Sequence, residues 1–172
     1  MERLLVALDG SDHSDKALQL AADLAETYGA ELVLVHVMSS APLTLAEREM
    51  AAAEYADELA SWSTTRKGTG ELEGGHELLL HYSDLTHHFR ETMGKHLLAT
   101  ARKALSGRRI ESIQSLLADG DPAETIARLA KDRKADAIVI GSRGLSDVKG
   151  LFLGSVSHKV GHLAECTCIT VK

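Results

Sequence analysis

At 172 residues, 44% of them hydrophobic, the chain is long enough to bury one substantial core and short for two. A formal net charge of −6 and the lack of any basic run speak against nucleic acid as a partner. No apolar stretch approaches the roughly 20 residues of a membrane span, and Met1-Glu2-Arg3-Leu4-Leu5 lacks the layout of a signal peptide, so a soluble cytoplasmic protein away from membranes is expected.

Residues 4–8 form a continuous apolar run that Asp9-Gly10-Ser11 breaks. Ala17, Leu18, Leu20, Ala21, Leu24, Ala25 and Tyr28 then recur at helical spacing, with Ser11 or Asp12 available as N-cap and Gly29 as terminator. Residues 31–38, containing Leu32-Val33-Leu34-Val35-His36-Val37, read as a second buried strand. From about residue 41 to 107 the pattern changes to a long crossover with an insertion. Residues 45–62 and 85–105 look helical, and 63–76 are rich in Gly, Thr and charge. The piece Lys67-Gly68-Thr69-Gly70-Glu71-Leu72-Glu73-Gly74-Gly75 is expected to be a poorly ordered loop. Neither side of it could build a separate core, so one domain over residues 1–172 is expected. His76, His81, His87, His88 and His96 fall in this insertion, and they read as a polar exposed segment rather than a metal or pH-sensing cluster.

Residues 113–118 form a weaker third strand. Asp119-Gly120-Asp121-Pro122 then leads into a helix with Asp121 at the cap, Pro122 at the first position and Ala123, Ile126, Ala127 and Ala130 on the inner face. Ala137-Ile138-Val139-Ile140 is a fourth strand, a helix starts near Val156, and residues 166–171 form a last strand. Strands alternating with helices argue for an α/β fold, a parallel sheet with right-handed crossovers and helices on both faces.

The fourth strand runs into Gly141-Ser142-Arg143-Gly144, and after nine intervening residues Gly154-Ser155 follows at the start of the last helix. Glycines there let backbone come close to a ligand, and the first N–H groups and positive dipole end of the helix can face an anion. The array is neither a Walker loop nor the Gly-x-Gly-x-x-Gly fingerprint. A phosphate would therefore be held by backbone N–H groups, Ser155 and Ser157, with Ser142, Arg143 and Lys149 as possible additions. His158 and His162 have a chelating spacing on this helix but no third ligand in view, so a solvated face is the reading preferred. Cys166 and Cys168 point to one face of the last strand and read as small core residues rather than a disulfide or metal pair.

Taken together, Val6-Ala7-Leu8-Asp9-Gly10-Ser11, Leu34-Val35-His36-Val37, Gly120-Asp121-Pro122-Ala123 and residues 136–144 resemble the universal stress proteins, specifically their nucleotide-binding branch. Gly154-Ser155-Val156-Ser157 completes that family's Gly-x2-Gly-x9-Gly-(Ser/Thr) pattern. The resemblance implies an open, Rossmann-like five-stranded parallel sheet in the order 3-2-1-4-5, a homodimer joined through the C-terminal strand, and ATP bound at the strand ends. It places Ala7, Leu8 and Asp9 on the adenine and ribose side, with Asp9 accepting from the nucleoside, and Val37 against the base. Ile140, Gly141, Arg143 and Gly144 would border ribose and phosphates. Gly154, Ser155, Val156 and Ser157 would hold the phosphate tail, with Mg²⁺ bound through the phosphates. The long crossover has no counterpart in short members of the family, and Glu165-Cys166-Thr167-Cys168 replaces the usual apolar residues before the last strand.

Hydrolysis needs a positioned base and charge stabilisation at the γ-phosphate, and the motif supplies no convincing base. The preferred expectation is an ATP-dependent regulatory protein of the stress response with an unidentified protein partner. The alternatives are a slow ATPase or a switch phosphorylated on Ser155 or Ser157, and a dimeric interaction module that has lost its ligand.

Overall fold

The computed structural model describes residues 1–39, 75–144 and 154–172. In chain order these form β1 (Arg3–Ala7), α1 (Asp12–Tyr28), β2 (Glu31–Met38), α2 (Gly75–Ala104), β3 (Ile113–Asp119), α3 (Pro122–Asp132), β4 (Ala137–Gly141), α4 (Ser155–Leu163) and β5 (Thr167–Val171). The chain divides into two compact units, residues 1–40 with 94–172 and residues 41–93. All five strands belong to the first, and the described part of the second is the beginning of α2.

Every strand pairing is parallel, and the order is β3-β2-β1-β4-β5. The α/β class and the 3-2-1-4-5 order are thus as expected. Burial explains which strands lie inside. All five residues of β4 are buried, as are four of the five in β1, whereas β3 and β5 are half-exposed edges. A strand covered on both faces cannot alternate apolar with polar residues, which is why β1, β2 and β4 read as unbroken apolar runs.

The side chains of those runs serve two cores. On one face, Leu4, Val6, Leu32, Leu34 and Val139 pack with Ala17, Leu18 and Ala21 of α1 and with Leu98, Ala101 and Leu105 of α2. On the other, Leu5, Val33, Val35 and Ile138 pack with Ala123, Ile126 and Ala130 of α3 and Val160 of α4. Burying each such Leu, Ile or Val contributes about 1.5–3 kcal/mol. Cys166 and Cys168 pack against this second core. Burial pushes both thiols above the ordinary cysteine range, the state of inert packing residues.

Local signals set the helix ends. Ser11 caps α1 by accepting from Ser14 N, and Gly29 closes it in the left-handed region (φ 65°), donating its N–H to Ala25 O. Asp121 caps α3 by accepting from Glu124 N, with Pro122 as first helical residue.

Several boundaries differ from expectation: β1 runs 3–7 rather than 4–8, β3 and β4 each extend one residue further, and α2 begins ten residues before 85. Gly75 and His76, read as loop, begin α2, because the good helix formers that follow tolerate glycine at a first position. Strand β5 opens at Thr167, where pairing with Ala137 starts, and leaves Cys166 outside. The helix expected over 45–62 and the glycine-rich piece through Gly74 lie outside the described residues.

Opposite the strand ends that carry the glycine array, Asp136 ties the first residues down. Its Oδ2 accepts from Arg3 N (3.0 Å) and Glu2 N (2.5 Å). These main-chain donors, Arg3 first, hold its carboxyl below the usual range. A depressed carboxylate stabilises the fold above its unfolded pKa, about 3.9, and that contribution is lost as pH falls through the lower folded value. Thermal unfolding at pH 7 and pH 3 should therefore show a smaller acid loss in Asp136→Asn than in the wild type. Equal losses would mean that other carboxylates govern acid sensitivity.

Candidate functional site

Strand order reverses between β1 and β4, from 3-2-1 to 4-5, and open parallel sheets bind ligands beyond the carboxyl ends of the strands at such a point. A cavity of about 340 Å³ opens there, within the range of small-molecule sites. All twelve residues expected at a nucleotide lie on its walls. Ala7, Leu8 and Asp9 come from the end of β1, and Val37 from β2. Ile140, Gly141, Arg143 and Gly144 come from β4 and its exit, and Gly154, Ser155, Val156 and Ser157 from the start of α4.

The floor beside β1 is a hydrogen-bonded turn. Leu8 continues the ladder through its N–H to Val35 O (2.8 Å), and its carbonyl accepts from His36 Nδ1 (2.8 Å). Asp9 Oδ1 then accepts from Ser11 N (3.0 Å) and Ser11 Oγ (2.6 Å). Ser11 Oγ also stands 3.3 Å from Arg143 O, but its single proton belongs to the nearer carboxylate. Asp9 therefore serves the turn with one oxygen, while Oδ2 faces Gly144.

The far wall is built from main chain. Ser142 N donates to Val171 O (2.6 Å), and Ser142 O accepts from Gly154 N (2.6 Å), which fixes where α4 begins. His158 N donates to Gly154 O (3.0 Å), so the N–H groups of Ser155, Val156 and Ser157 come before the first donor bonded within the helix. Helix α1 carries a Ser11 cap with Asp12 and Asp15 in its first turn, and α3 carries an Asp121 cap with Glu124. Helix α4 has Gly154 at the cap, no side-chain cap bond and no acid in its first turn. Its positive end meets the cavity without a counter-charge of its own.

The glycines that line the cavity also have close neighbours within the protein. A Cβ on Gly141 would lie 2.8 Å from His13 C and 2.9 Å from Ser14 N, so the close neighbour is the first turn of α1. On Gly144 it would overlap Asp9 Oδ2, and on Gly154 it would sit 3.2 Å from Ser142 O. At each of the three, the missing side chain lets neighbouring protein atoms come close beside the cavity. Ser157 is likewise committed: it is buried, and its hydroxyl donates to Gly154 O (3.0 Å) or Ser142 O (3.2 Å). With that proton so placed, the main-chain N–H is the donor Ser157 could offer an anion. Ser142 is 1% exposed and does not line the cavity. Lys149 lies outside the described residues.

Sequence reading missed Ser14, Val35, Ser39, Pro122 and Ile126, which also line the cavity. Val35 shares a strand face with Val37, and Ile126 lies one helical turn from Pro122, so periodicity pointed to both. Because the strands run β2-β1-β4, the cavity crosses from an apolar end at Val35 and Val37 to a main-chain donor end at α4. Apart from Asp9, no carboxylate or histidine lies among the described lining residues. The rings of His158 and His162 meet edge to face at 4.7 Å, and no group of three potential metal ligands occurs among the described residues.

Compared with protein families, residues 1–172 match the universal stress protein family from end to end. The chain belongs to this family. Universal stress protein YxiE of Bacillus subtilis is 32% identical over 170 residues, covering 99% of this chain and 98% of its own. Among solved structures, the universal stress protein UspA of Lactobacillus plantarum matches with a TM-score of 0.71 at 20% identity, over 99% of this chain and 97% of that one. A universal stress protein of Archaeoglobus fulgidus in complex with dAMP matches at 0.61 and 20% identity, over 100% and 98% of the two chains. At such identity the structural likeness speaks for the fold alone.

Proposed function

We propose that this universal stress protein binds an adenine nucleotide, ATP with Mg²⁺, across the ends of β2, β1 and β4, and that occupancy regulates its interactions during stress. The observation that carries the reading is the uncapped, acid-free start of α4, which presents main-chain donors to a cavity whose opposite end is apolar. The base would lie against Val35, Val37 and Ile126, Asp9 would accept from the ribose, and Gly144 leaves room for that carboxylate. Arg143, Ser155 and the first N–H groups of α4 would hold the phosphates. Mg²⁺ would be bound through phosphates and water, since Mg²⁺ takes few protein ligands in such sites. The complex of the Archaeoglobus relative with dAMP supports an adenine nucleotide as the ligand class.

In this reading the protein is cytoplasmic and pairs with a second copy along the half-exposed edge of β5. It is a binding protein rather than a dedicated enzyme, because hydrolysis needs a base near the γ-phosphate. Asp9 is tied to Ser11. The exposed hydroxyl of Ser155 at the start of α4 favours a phosphorylated switch as the second reading.

Mass spectrometry of nucleotide released on denaturing freshly purified protein, beside calorimetric titration with ATP and Mg²⁺, tests the assignment. Released adenine nucleotide or saturable binding is expected. Neither would leave a ligand-free interaction module as the function. Phosphate release during the same titration, or a phosphorylated Ser155, would favour the second reading.

A further inference from the structure

Lys159, on the second turn of α4, reaches across to α3. Its Nζ donates to Asp121 Oδ1 (3.2 Å) and to Glu124 Oε1 (3.0 Å). Asp121 is the cap of α3, the next residue, Pro122, lines the cavity, and so does Ile126. Two carboxylates therefore stand at the cavity end of α3, and one ammonium group answers both. All three side chains are 45–66% exposed, where ion pairs add little to stability. Stability alone does not account for one cation holding two acids at this seam.

Charge at the phosphate end does. Phosphates at the start of α4 would lie about one turn before Lys159, beside the acids it holds. In water, a carboxylate on the order of 10 Å away weakens binding about twofold for each unit of phosphate charge. We infer that Lys159 sets the preference of this site for phosphorylated nucleotide over free nucleoside, by neutralising Asp121 and Glu124 and tying α3 to α4 at the cavity mouth. Lys159 does not line the cavity. It is a positioning residue, acting through the two acids. Neighbours shift the groups in the matching directions: Glu124 and then Asp121 raise the Lys159 ammonium, and the Glu124 N–H followed by Lys159 lowers the Asp121 carboxyl. The inference rests on the nucleotide reading above.

Calorimetric titration of the full chain with adenosine, AMP and ATP separates the two ideas. In Lys159→Gln the ATP dissociation constant should rise about five- to tenfold and the AMP constant less, while adenosine changes less than twofold. Lys159→Arg should bind like the wild type, and about 0.5 M salt should shrink the ATP effect. An equal change for all three ligands would mean a structural role and overturn the inference, as would no change at all. Should Lys159→Gln lose its fold, Glu124→Gln gives the opposite reading: ATP should tighten relative to adenosine, and an unaltered ratio would count against the inference. A wild-type chain that binds none of the three would overturn the nucleotide assignment and this inference with it.

Discussion

Replacing Gly141 with alanine should lower the thermal midpoint by about 6–12 °C, whether or not a nucleotide is present. The added Cβ would stand 2.8–2.9 Å from the backbone and Cβ of α1 at His13 and the N of Ser14, closer than carbon atoms sit without displacement. Backbone, unlike a flexible side chain, has nowhere to turn. Helix α1 is held by Ser11 at its cap and by Ala17, Leu18 and Ala21 in the core, so moving it disturbs the packing below. Overpacking of this kind costs about 3 kcal/mol, and in a chain of this size each kcal/mol shifts the midpoint by about 2–4 °C. Gly161→Ala is the internal control. No atom lies within 4 Å of a Cβ there, and alanine is the better helix former, so the midpoint should hold or rise slightly. A Gly141→Ala midpoint within about 2 °C of wild type would show that α1 yields easily and that close packing is not why glycine ends β4.

Asp9→Asn should leave the fold nearly intact and cost at least about tenfold in nucleotide affinity, a loss of the size expected for a hydrogen bond to a charged group. The substitution keeps the Oδ1 that accepts from Ser11 N and Ser11 Oγ, so the turn and the cap of α1 survive. It replaces the carboxylate oxygen facing Gly144 with an amide donor, which cannot accept from a ribose hydroxyl. Asp9→Ala removes both roles and should lose affinity and stability together. Titration with ATP beside a thermal melt distinguishes them. If Asn binds as well as Asp, the carboxylate serves the turn alone.

The limits of β2 and the capped start of α3 could be read from residue order because their causes are local. A continuous apolar run marks a strand covered on both faces, and Asp121-Pro122 supplies a cap and a fixed φ within two residues. Twelve of the seventeen described lining residues were legible through motif spacing and resemblance, and the resemblance placed β4 beside β1. Less visible was what each glycine accommodates. Spacing marks Gly141 and Gly154 as special, but that α1 and the Ser142 carbonyl are the close neighbours depends on tertiary packing. The commitment of the Ser157 hydroxyl to main-chain carbonyls is hidden for the same reason. Ser14, Ser39 and Pro122 reach the cavity only because α1, β2 and α3 converge on one end of the sheet. The start of α2 eluded reading because paired glycines signal a loop even when the second begins a helix.

Ser11 has a bearing on how fast a ligand can be captured. It caps α1 while its N–H and hydroxyl hold Asp9, so the segment after β1 is fixed by its own hydrogen bonds. Under the proposed function, a nucleotide docking there would order little of this segment, and docking onto such a preorganised surface would cost less entropy and avoid a slow rearrangement on the way in. Differences in affinity among nucleotides would then appear in residence time, set at the α4 end where the phosphates are counted.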